Sequence, residues 1–214
     1  MNIYFFGDSI SFGQYISVDH TWVTKIAMSL HKEFVGENIT AINASVNGNT
    51  TRMALERMPY DIQSNQVDIL VIGFGMNDCN YWKTDNGVPR VSPMAFEANI
   101  KEIICRAFQF HIKKVILRTN HPSPRQDIMT NTNITYSQSN EYYNSIIRKI
   151  AEEDNSIVFA DMERVCIDYC KNQNCSINEI VMPDNIHLSS IGHEVYYNTM
   201  YPIIKKCVKE ISKE

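Results

Sequence analysis

Five short apolar runs recur along the chain, and each gives way to a polar or turn-rich stretch. The run at residues 69–72, Ile-Leu-Val-Ile, is typical of a strand covered on both faces in a parallel sheet. The segments between the runs carry apolar residues at helical spacing. This alternation predicts an α/β fold with a five-stranded parallel sheet, helices on both faces and right-handed crossovers. The predicted strands cover residues 4–6, 39–46, 69–72, 115–117 and 157–160.

The predicted helices occupy the segments between these strands. Apolar residues recur every four positions from Trp22 to Phe34 and so share one helix face. Ser92 and Pro93 form an N-cap and first-turn pair for another helix. Further helices are predicted around residues 53–58, 143–150 and 195–211, with a shorter one in the first part of 162–178.

Length and charge limit the classes of protein that the chain can represent. Its 214 residues suffice for one sizeable core but are few for two, so we expect one domain over residues 1–214. A net charge of -4 argues against nucleic acid as the main partner. No apolar run approaches the roughly 18 residues of a membrane span. Nothing in the chain predicts an oligomeric state.

The six cysteines are scattered without a paired C-x-x-C arrangement. Cys166, Cys170 and Cys175 come closest to a metal-binding cluster, but they lack a fourth nearby ligand and the usual short spacing. We therefore expect reduced thiols and no metal site.

The first apolar run ends in Gly7-Asp8-Ser9. Ligands of open α/β sheets bind beyond the carboxyl ends of the strands, so the Ser9 hydroxyl is a candidate nucleophile. The alternative is an ordinary turn that caps a helix. Ser9 lies so close to Met1 that a secretory signal has no space before it, which predicts a cytoplasmic protein.

A serine nucleophile needs a base and a group that orients the base. Asp184 and His187 lie three residues apart before the last helix, a spacing that lets the carboxylate bond one imidazole nitrogen while the other faces Ser9. An Asp-x-x-His pair also occurs by chance in structural loops. The other histidines lack a carboxylate at comparable spacing: His20, His31, His111, His121 and His193.

The reaction also needs hydrogen-bond donors for a developing oxyanion. Gly48 can offer a backbone N–H because it has no side chain to block a ligand. Asn77 offers a side-chain amide after the third strand, and the Ser9 N–H completes the set. Each of these residues could equally be an ordinary turn residue.

Four segments resemble the sequence blocks of the SGNH hydrolases, also called GDSL esterases and lipases. Residues 7–10, Gly-Asp-Ser-Ile, resemble the first block, and residues 43–48, Asn-Ala-Ser-Val-Asn-Gly, resemble the second. Residues 75–78, Gly-Met-Asn-Asp, are similar to the third block, and residues 184–187, Asp-Asn-Ile-His, to the fifth. The blocks occur in the family's order, and Ile10 replaces the leucine of the motif's name.

The resemblance implies a flavodoxin-like three-layer α/β/α sandwich with no metal or organic cofactor. It implies that Ser9 is the nucleophile, His187 the general base and Asp184 its orienting partner. Gly48, Asn77 and the Ser9 N–H would form the oxyanion hole. The expected reaction is hydrolysis of a carboxylic ester, with a short, acetyl-type acyl group on a small molecule or carbohydrate.

Other activities fit the same residues. An O-acyltransferase would use the same triad with an alcohol in place of water, and a lysophospholipase or thioesterase would differ only in substrate. A ligand-binding module without catalysis is the alternative outside enzymes. Flavin or dinucleotide binding is disfavoured because the first turn lacks G-x-G-x-x-G.

Two segments are candidates for the substrate pocket. Asn80, Tyr81 and Trp82 offer amide and aromatic groups that suit sugar hydroxyls and faces, although they could equally pack against the protein body. The polar segment 120–137 is long for a compact domain, and it is either part of the pocket or a mobile surface loop.

Overall fold

The computed structural model describes residues 1–213. Within them, five strands form one parallel sheet: β1 (Asn2–Gly7), β2 (Thr40–Asn43), β3 (Ile69–Gly73), β4 (Lys114–Arg118) and β5 (Ile157–Ala160). The strand order is β2-β1-β3-β4-β5, which is the flavodoxin-like order. The predicted five-stranded parallel sheet is confirmed.

Helices of residues 1–213 form two packed groups. The helices are α1 (Ser9–Phe12), α2 (Trp22–Glu33), α3 (Thr51–Met58), α4 (Pro93–Gln109), α5 (Tyr136–Glu153), α6 (Met162–Gln173), α7 (Ile177–Ile180) and α8 (Ser190–Ile211). One group contains α1, α2, α6, α7 and α8, and the other contains α3, α4 and α5. Right-handed crossovers in this strand order place the groups on opposite faces of the sheet. The result is a three-layer α/β/α sandwich.

Some boundaries differ from the predicted ones. Strand β2 ends at Asn43 rather than residue 46, although the N–H groups of Ala44 and Val46 still donate to carbonyls of β1. Phe34 lies just beyond α2 as its C-cap. The helix expected in the first part of residues 162–178 is α6, which ends at Asn174, where the backbone is left-handed (φ 52°).

Strands β1, β3 and β4 form the buried centre of the sheet, and their apolar residues are almost fully covered by the helices. At the carboxyl edge, Gly7 of β1 pairs with Gly73 of β3. This edge is where the polar turns of the sequence converge, so it carries the candidate site.

An arginine side chain is fully buried beneath this edge. Arg118, the last residue of β4, donates from Nη2 to Ser11 Oγ (3.0 Å) and lies over the ring of Tyr196 (5.4 Å). A Cβ at Gly73 would lie 2.3 Å from the Arg118 guanidinium. Position 73 must therefore be glycine, because any side chain there would occupy the space of the guanidinium.

No helix within residues 1–213 combines the length and apolar character needed to cross a membrane. The cytoplasmic location stays a prediction. The single domain over residues 1–214 likewise stays an expectation, and Glu214 lies outside the described residues.

Candidate active site

Ser9 lies at the point where β1 passes into α1. The helix cap is supplied by its neighbour, because Asp8 Oδ1 accepts the N–H of Ile10 (3.0 Å). Asp8, not Ser9, therefore caps α1. The Ser9 hydroxyl lies 2.9 Å from His187 Nε2, and the Ser9 residue is only 6% exposed.

His187 is fixed by Asp184 within one tight loop. Asp184 Oδ2 lies 2.5 Å from His187 Nδ1, while Oδ1 accepts the backbone N–H groups of Ile186 and His187, each at 3.0 Å. An ionised carboxylate only accepts hydrogen bonds, so Nδ1 carries the proton and Nε2 is left to accept the proton of Ser9. These contacts connect Asp184, His187 and Ser9 in one chain of hydrogen bonds.

The environment of Asp184 keeps it ionised. Partial burial raises the pKa of this carboxyl, but the hydrogen bonds from His187 and from the backbone outweigh that effect, and the net pKa lies below the usual range. The negative charge is therefore present at neutral pH, where it stabilises the tautomer that Ser9 requires.

The loop from Asp184 to His187 rests on residues that follow β4. His121 is fully buried, with Nε2 2.7 Å from the Ile186 carbonyl and Nδ1 3.0 Å from the Tyr196 hydroxyl. The carbonyl accepts, so Nε2 donates and Nδ1 accepts. Burial lowers the pKa of His121 to about 3, which keeps this arrangement intact at neutral pH. Ser123 Oγ donates to the Asn185 carbonyl (2.6 Å).

These contacts define the role of the first part of the 120–137 segment. Asn120, His121 and Ser123 are buried, so neither a mobile surface loop nor a pocket wall describes them. They support the loop that carries His187. The sequence signal is a histidine within Asn-His-Pro-Ser-Pro shortly after a strand, but His121 has no carboxylate at triad spacing and therefore does not stand out as a site residue.

The Asn77 amide is hydrogen-bonded at both ends, and one of its partners is Asp8, the residue before Ser9. Its Nδ2 donates to Asp8 Oδ2 (3.4 Å), and its Oδ1 accepts from Arg90 Nη1 (3.2 Å). Arg90 Nη2 donates to the Gly48 carbonyl (3.2 Å). One guanidinium thus joins the two turns that carry the predicted oxyanion donors. Arg90 was not among the residues predicted for the site.

Gly48 occupies a backbone conformation that favours glycine, with φ at +75°. The turn is held against β1 by Arg57, which donates to the Ala44 carbonyl (2.6 Å), the Gly7 carbonyl (3.2 Å) and the Asn49 side chain (2.6 Å). Arg57 therefore joins the backbone of the second sequence block to the end of β1.

A buried carboxyl and a buried guanidinium lie beneath Ser9. Complete burial raises the pKa of Asp8, and the positive charge of Arg118 opposes that effect. Asp78 is also buried. Burial is the main cause that raises its pKa, to about 6, while its Oδ1 accepts from the Thr51 backbone N–H (2.9 Å) and hydroxyl (2.5 Å).

Helix α5 supports both neighbouring loops through polar side chains on its buried face. Its Tyr136, Ser139 and Tyr143 donate to backbone carbonyls of residues 76, 79 and 91. Asn140 donates to the His121 carbonyl (2.9 Å), and Asn144 bonds the Asn120 backbone at both N–H and C=O. The loops after β3 and β4 are therefore fixed from one helix.

A groove of about 470 Å³ lies beside Arg90. Trp82 lines it and is 54% exposed, with the Arg90 guanidinium 4.6 Å from its ring centre. Asn80 and Tyr81 do not border this groove: Asn80 Oδ1 accepts the Tyr81 N–H (2.9 Å), and the half-buried Tyr81 packs against the core. Of the three predicted pocket residues, Trp82 has the position expected of a pocket wall.

Tyr15 covers one side of the His187 ring. Its ring lies edge-to-face against the imidazole, with 5.1 Å between centres, and its backbone is left-handed (φ 70°). Such a backbone is uncommon for a large side chain, so the strained turn sets the tyrosine beside the catalytic candidates.

The six cysteines are unpaired thiols. Within residues 1–213, no group of three or more His, Cys, Asp or Glu side chains is arranged to hold a metal ion.

A model of the GDSL-like Lipase/Acylhydrolase family matches residues 5–195. This range contains all four sequence blocks. The chain belongs to this family. The resemblance inferred from the four blocks is confirmed, and it places the chain among acylhydrolases.

Individual relatives resemble the chain more distantly. An arylesterase of Vibrio mimicus is 28% identical over 98 residues, a match that spans 46% of this chain and 44% of the arylesterase. The solved acetyl xylan esterase AlAXEase is 24% identical, with a TM-score of 0.78 over 95% of this chain and all of that structure. A lipase/acylhydrolase from Enterococcus faecalis is 21% identical, with a TM-score of 0.75 over 96% and 95% of the two chains. These structural likenesses support the fold.

Proposed function

We propose that this GDSL-family protein is a serine esterase that hydrolyses a carboxylic ester through an acyl-serine intermediate. The observation that carries the proposal is the continuous hydrogen-bond chain from Ser9 Oγ through His187 to Asp184. A hydroxyl, a base and an orienting carboxylate in this order are the groups that a serine nucleophile needs.

In the first half of the reaction, Ser9 Oγ attacks the ester carbonyl and its proton passes to His187 Nε2. Asp184 stabilises the imidazolium that forms, because its carboxylate accepts the Nδ1 proton. The carbonyl oxygen becomes an oxyanion, for which the N–H groups of Ser9, Gly48 and the Asn77 amide are the proposed donors. Collapse of this tetrahedral species releases the alcohol, which takes the proton from Nε2.

In the second half, water takes the place of the alcohol. His187 Nε2 removes a proton from the water as its oxygen attacks the acyl carbon, and the second tetrahedral oxyanion is bound by the same donors. Collapse frees the acid and returns the proton to Ser9 Oγ. The cycle needs no group beyond these side chains and backbone donors.

We propose a short, acetyl-type acyl group on a small molecule or carbohydrate as the substrate. Two solved neighbours, AlAXEase and Axe2 of Geobacillus stearothermophilus, are named acetyl xylan esterases. Tyr15 supplies an aromatic ring beside His187, and Trp82 lines a groove beside Arg90; aromatic surfaces of this kind suit the faces of sugars or aryl alcohols.

The test is hydrolysis of p-nitrophenyl esters of increasing chain length together with acetylated xylo-oligosaccharides. The parent should hydrolyse the acetyl ester, and Ser9→Ala and His187→Ala should lose activity by several orders of magnitude. Asn77→Ala should lose about 10²–10³ in kcat, the usual effect of removing one oxyanion donor. Hydrolysis by Ser9→Ala at the parent's rate would refute the mechanism.

Three alternatives are distinguished by further measurements on the same protein. Transfer of the acetyl group to an added sugar, detected by product analysis, would identify an acyltransferase. Failure of a fluorophosphonate probe to label the parent at Ser9 would indicate a ligand-binding module. A preference for long acyl chains or thioesters would replace the proposed substrate class.

A further inference from the structure

The Arg90 side chain contacts the two turns that carry the proposed oxyanion donors. Its Nη1 donates to Asn77 Oδ1 and its Nη2 to the Gly48 carbonyl, both at 3.2 Å. These turns follow different strands and are 29 positions apart in the sequence. A single planar guanidinium can hold two acceptors in a fixed relative position, which a lysine ammonium cannot do with the same geometry.

The contact with Asn77 decides which way its amide faces. A guanidinium only donates, so the atom facing Arg90 must be Oδ1. The Asp8 carboxyl on the other side accepts from Nδ2 (3.4 Å). With Oδ1 held at Arg90, the second Nδ2 hydrogen remains for a substrate oxygen. A flipped amide would instead present Oδ1, which would repel an oxyanion.

Arg90 is itself held firmly. Its backbone N–H donates to the Asn80 carbonyl (2.9 Å), and the N–H of the next residue, Val91, donates to the Asp78 carbonyl (3.2 Å). The Val91 carbonyl accepts from the Tyr143 hydroxyl of α5. The guanidinium also lies 4.6 Å from the Trp82 ring centre, a cation–π arrangement. These contacts therefore hold the Arg90 side chain in one position.

We propose that Arg90 is a positioning residue that orients the Asn77 amide and fixes the Gly48 turn, so that both donors face the oxyanion together. The proposal rests on the esterase function proposed above. It assigns Arg90 an effect on the transition state rather than on binding of the ground-state ester, because the oriented donors are used fully only when charge develops on the oxygen.

The experiment compares Arg90→Gln and Arg90→Ala with the parent on p-nitrophenyl acetate. We expect kcat to fall about 10- to 100-fold, less than the loss of a donor itself, with KM changed by less than about twofold. Guanidinium ion at non-denaturing concentration should restore part of the kcat of Arg90→Ala. Arg164→Gln removes the same charge from the exposed surface of α6 and should match the parent.

A double-mutant cycle separates positioning from general loss of structure. In an Asn77→Ala background, Arg90→Gln should lose most of its effect on kcat, since the amide that it orients is absent. Equal losses in both backgrounds, or an Arg90→Gln variant within twofold of the parent kcat, would overturn the proposal. Failure of the esterase function would look different, because the parent itself would then show no Ser9-dependent hydrolysis.

Discussion

Asp184 holds His187 at two points, the ring Nδ1 at 2.5 Å from Oδ2 and the backbone N–H at 3.0 Å from Oδ1. The carboxylate therefore positions the backbone of the base as well as its ring. Replacement by Asn keeps an oxygen for the backbone N–H but faces Nδ1 with an amide N–H. The imidazole must then carry its proton on Nε2, which can no longer accept from Ser9.

We expect Asp184→Asn to reduce kcat on the order of 10³- to 10⁴-fold, measured with p-nitrophenyl acetate. The melting temperature should stay near that of the parent, because the loop retains its backbone bond. Loss of less than tenfold would show that Asp184 does not set the tautomer. Asp184→Ala provides the comparison, since it removes the ring contact and the backbone contact together.

His121→Ala should misplace the catalytic loop without touching the substrate. It removes the donor to the Ile186 carbonyl and the acceptor for the Tyr196 hydroxyl. We expect kcat to fall about tenfold or more, because small displacements of a catalytic group are costly, while KM changes little. His121→Gln places an amide donor near the Nε2 position and should recover part of the loss. Equal activity of the Ala and Gln variants would contradict this assignment.

Two buried histidines predict loss of stability in acid. Burial lowers the pKa of His121 to about 3 and that of His193 to about 4, so both remain neutral in the folded protein while the unfolded chain binds protons below about pH 6.5. Above that pH the two histidines do not disfavour folding. As the pH falls below it, proton binding stabilises the unfolded chain and the free energy of unfolding decreases. Asp78, with a raised pKa of about 6, opposes this between pH 6 and 4.

From these three groups alone, two histidines against one carboxyl leave a net loss of roughly 1.4 kcal/mol per pH unit between pH 6 and 4. Burial also raises the pKa of Asp8, which opposes this loss and makes the measured slope smaller. Urea unfolding at several pH values measures the slope. His193 Nδ1 accepts the Trp22 N–H (3.2 Å), and in His193→Asn the amide oxygen can take that role without titrating. The slope of this variant should be visibly smaller, and an unchanged slope would exclude His193 as a source.

Gly73→Ala should be among the most damaging small substitutions. The added Cβ would lie 2.3 Å from the Arg118 guanidinium, which is fully buried and cannot move to solvent. We expect a loss of roughly 3 kcal/mol or more, as when a buried charge loses its contacts, measured by urea unfolding. Gly36→Ala is the control, because a Cβ there meets nothing within 4 Å and only the backbone (φ +91°) resists it, at about 1–2 kcal/mol. Similar losses in the two variants would contradict the steric explanation.

Sequence reasoning predicted the sheet because buried parallel strands leave a strong local signal, as in residues 69–72. It also placed Ser9 and the Asp184–His187 pair at the carboxyl edge, since that edge is where such turns meet. The strand order and the family membership agree with that reading. The weaker strand β2 was predicted to run to residue 46 because the chain stays hydrogen-bonded to β1 as far as Val46, although the regular strand ends at Asn43.

The supporting residues could not be predicted in the same way. His121, Arg90 and the polar face of α5 act largely on backbone groups of distant loops, and a backbone carbonyl carries no residue type that a sequence pattern can reveal. Arg90 illustrates the difficulty, since its partners include the Gly48 carbonyl 42 positions away. The burial of Arg118 was not predicted either, because a charged residue that ends a strand is normally expected at the surface.

Because α5 holds the loop after β3 by its backbone, the side chains of that loop can be replaced without moving it. Tyr136, Ser139 and Tyr143 donate hydrogen bonds to backbone carbonyls of the loop after β3. Every residue type has a backbone carbonyl, so these bonds do not depend on the side chains of the loop. Side chains at the exposed tip of that loop, Trp82 and Val88 among them, can therefore be exchanged while the loop keeps its course. Libraries that randomise these tips and leave α5 intact are a suitable starting point for altering substrate choice.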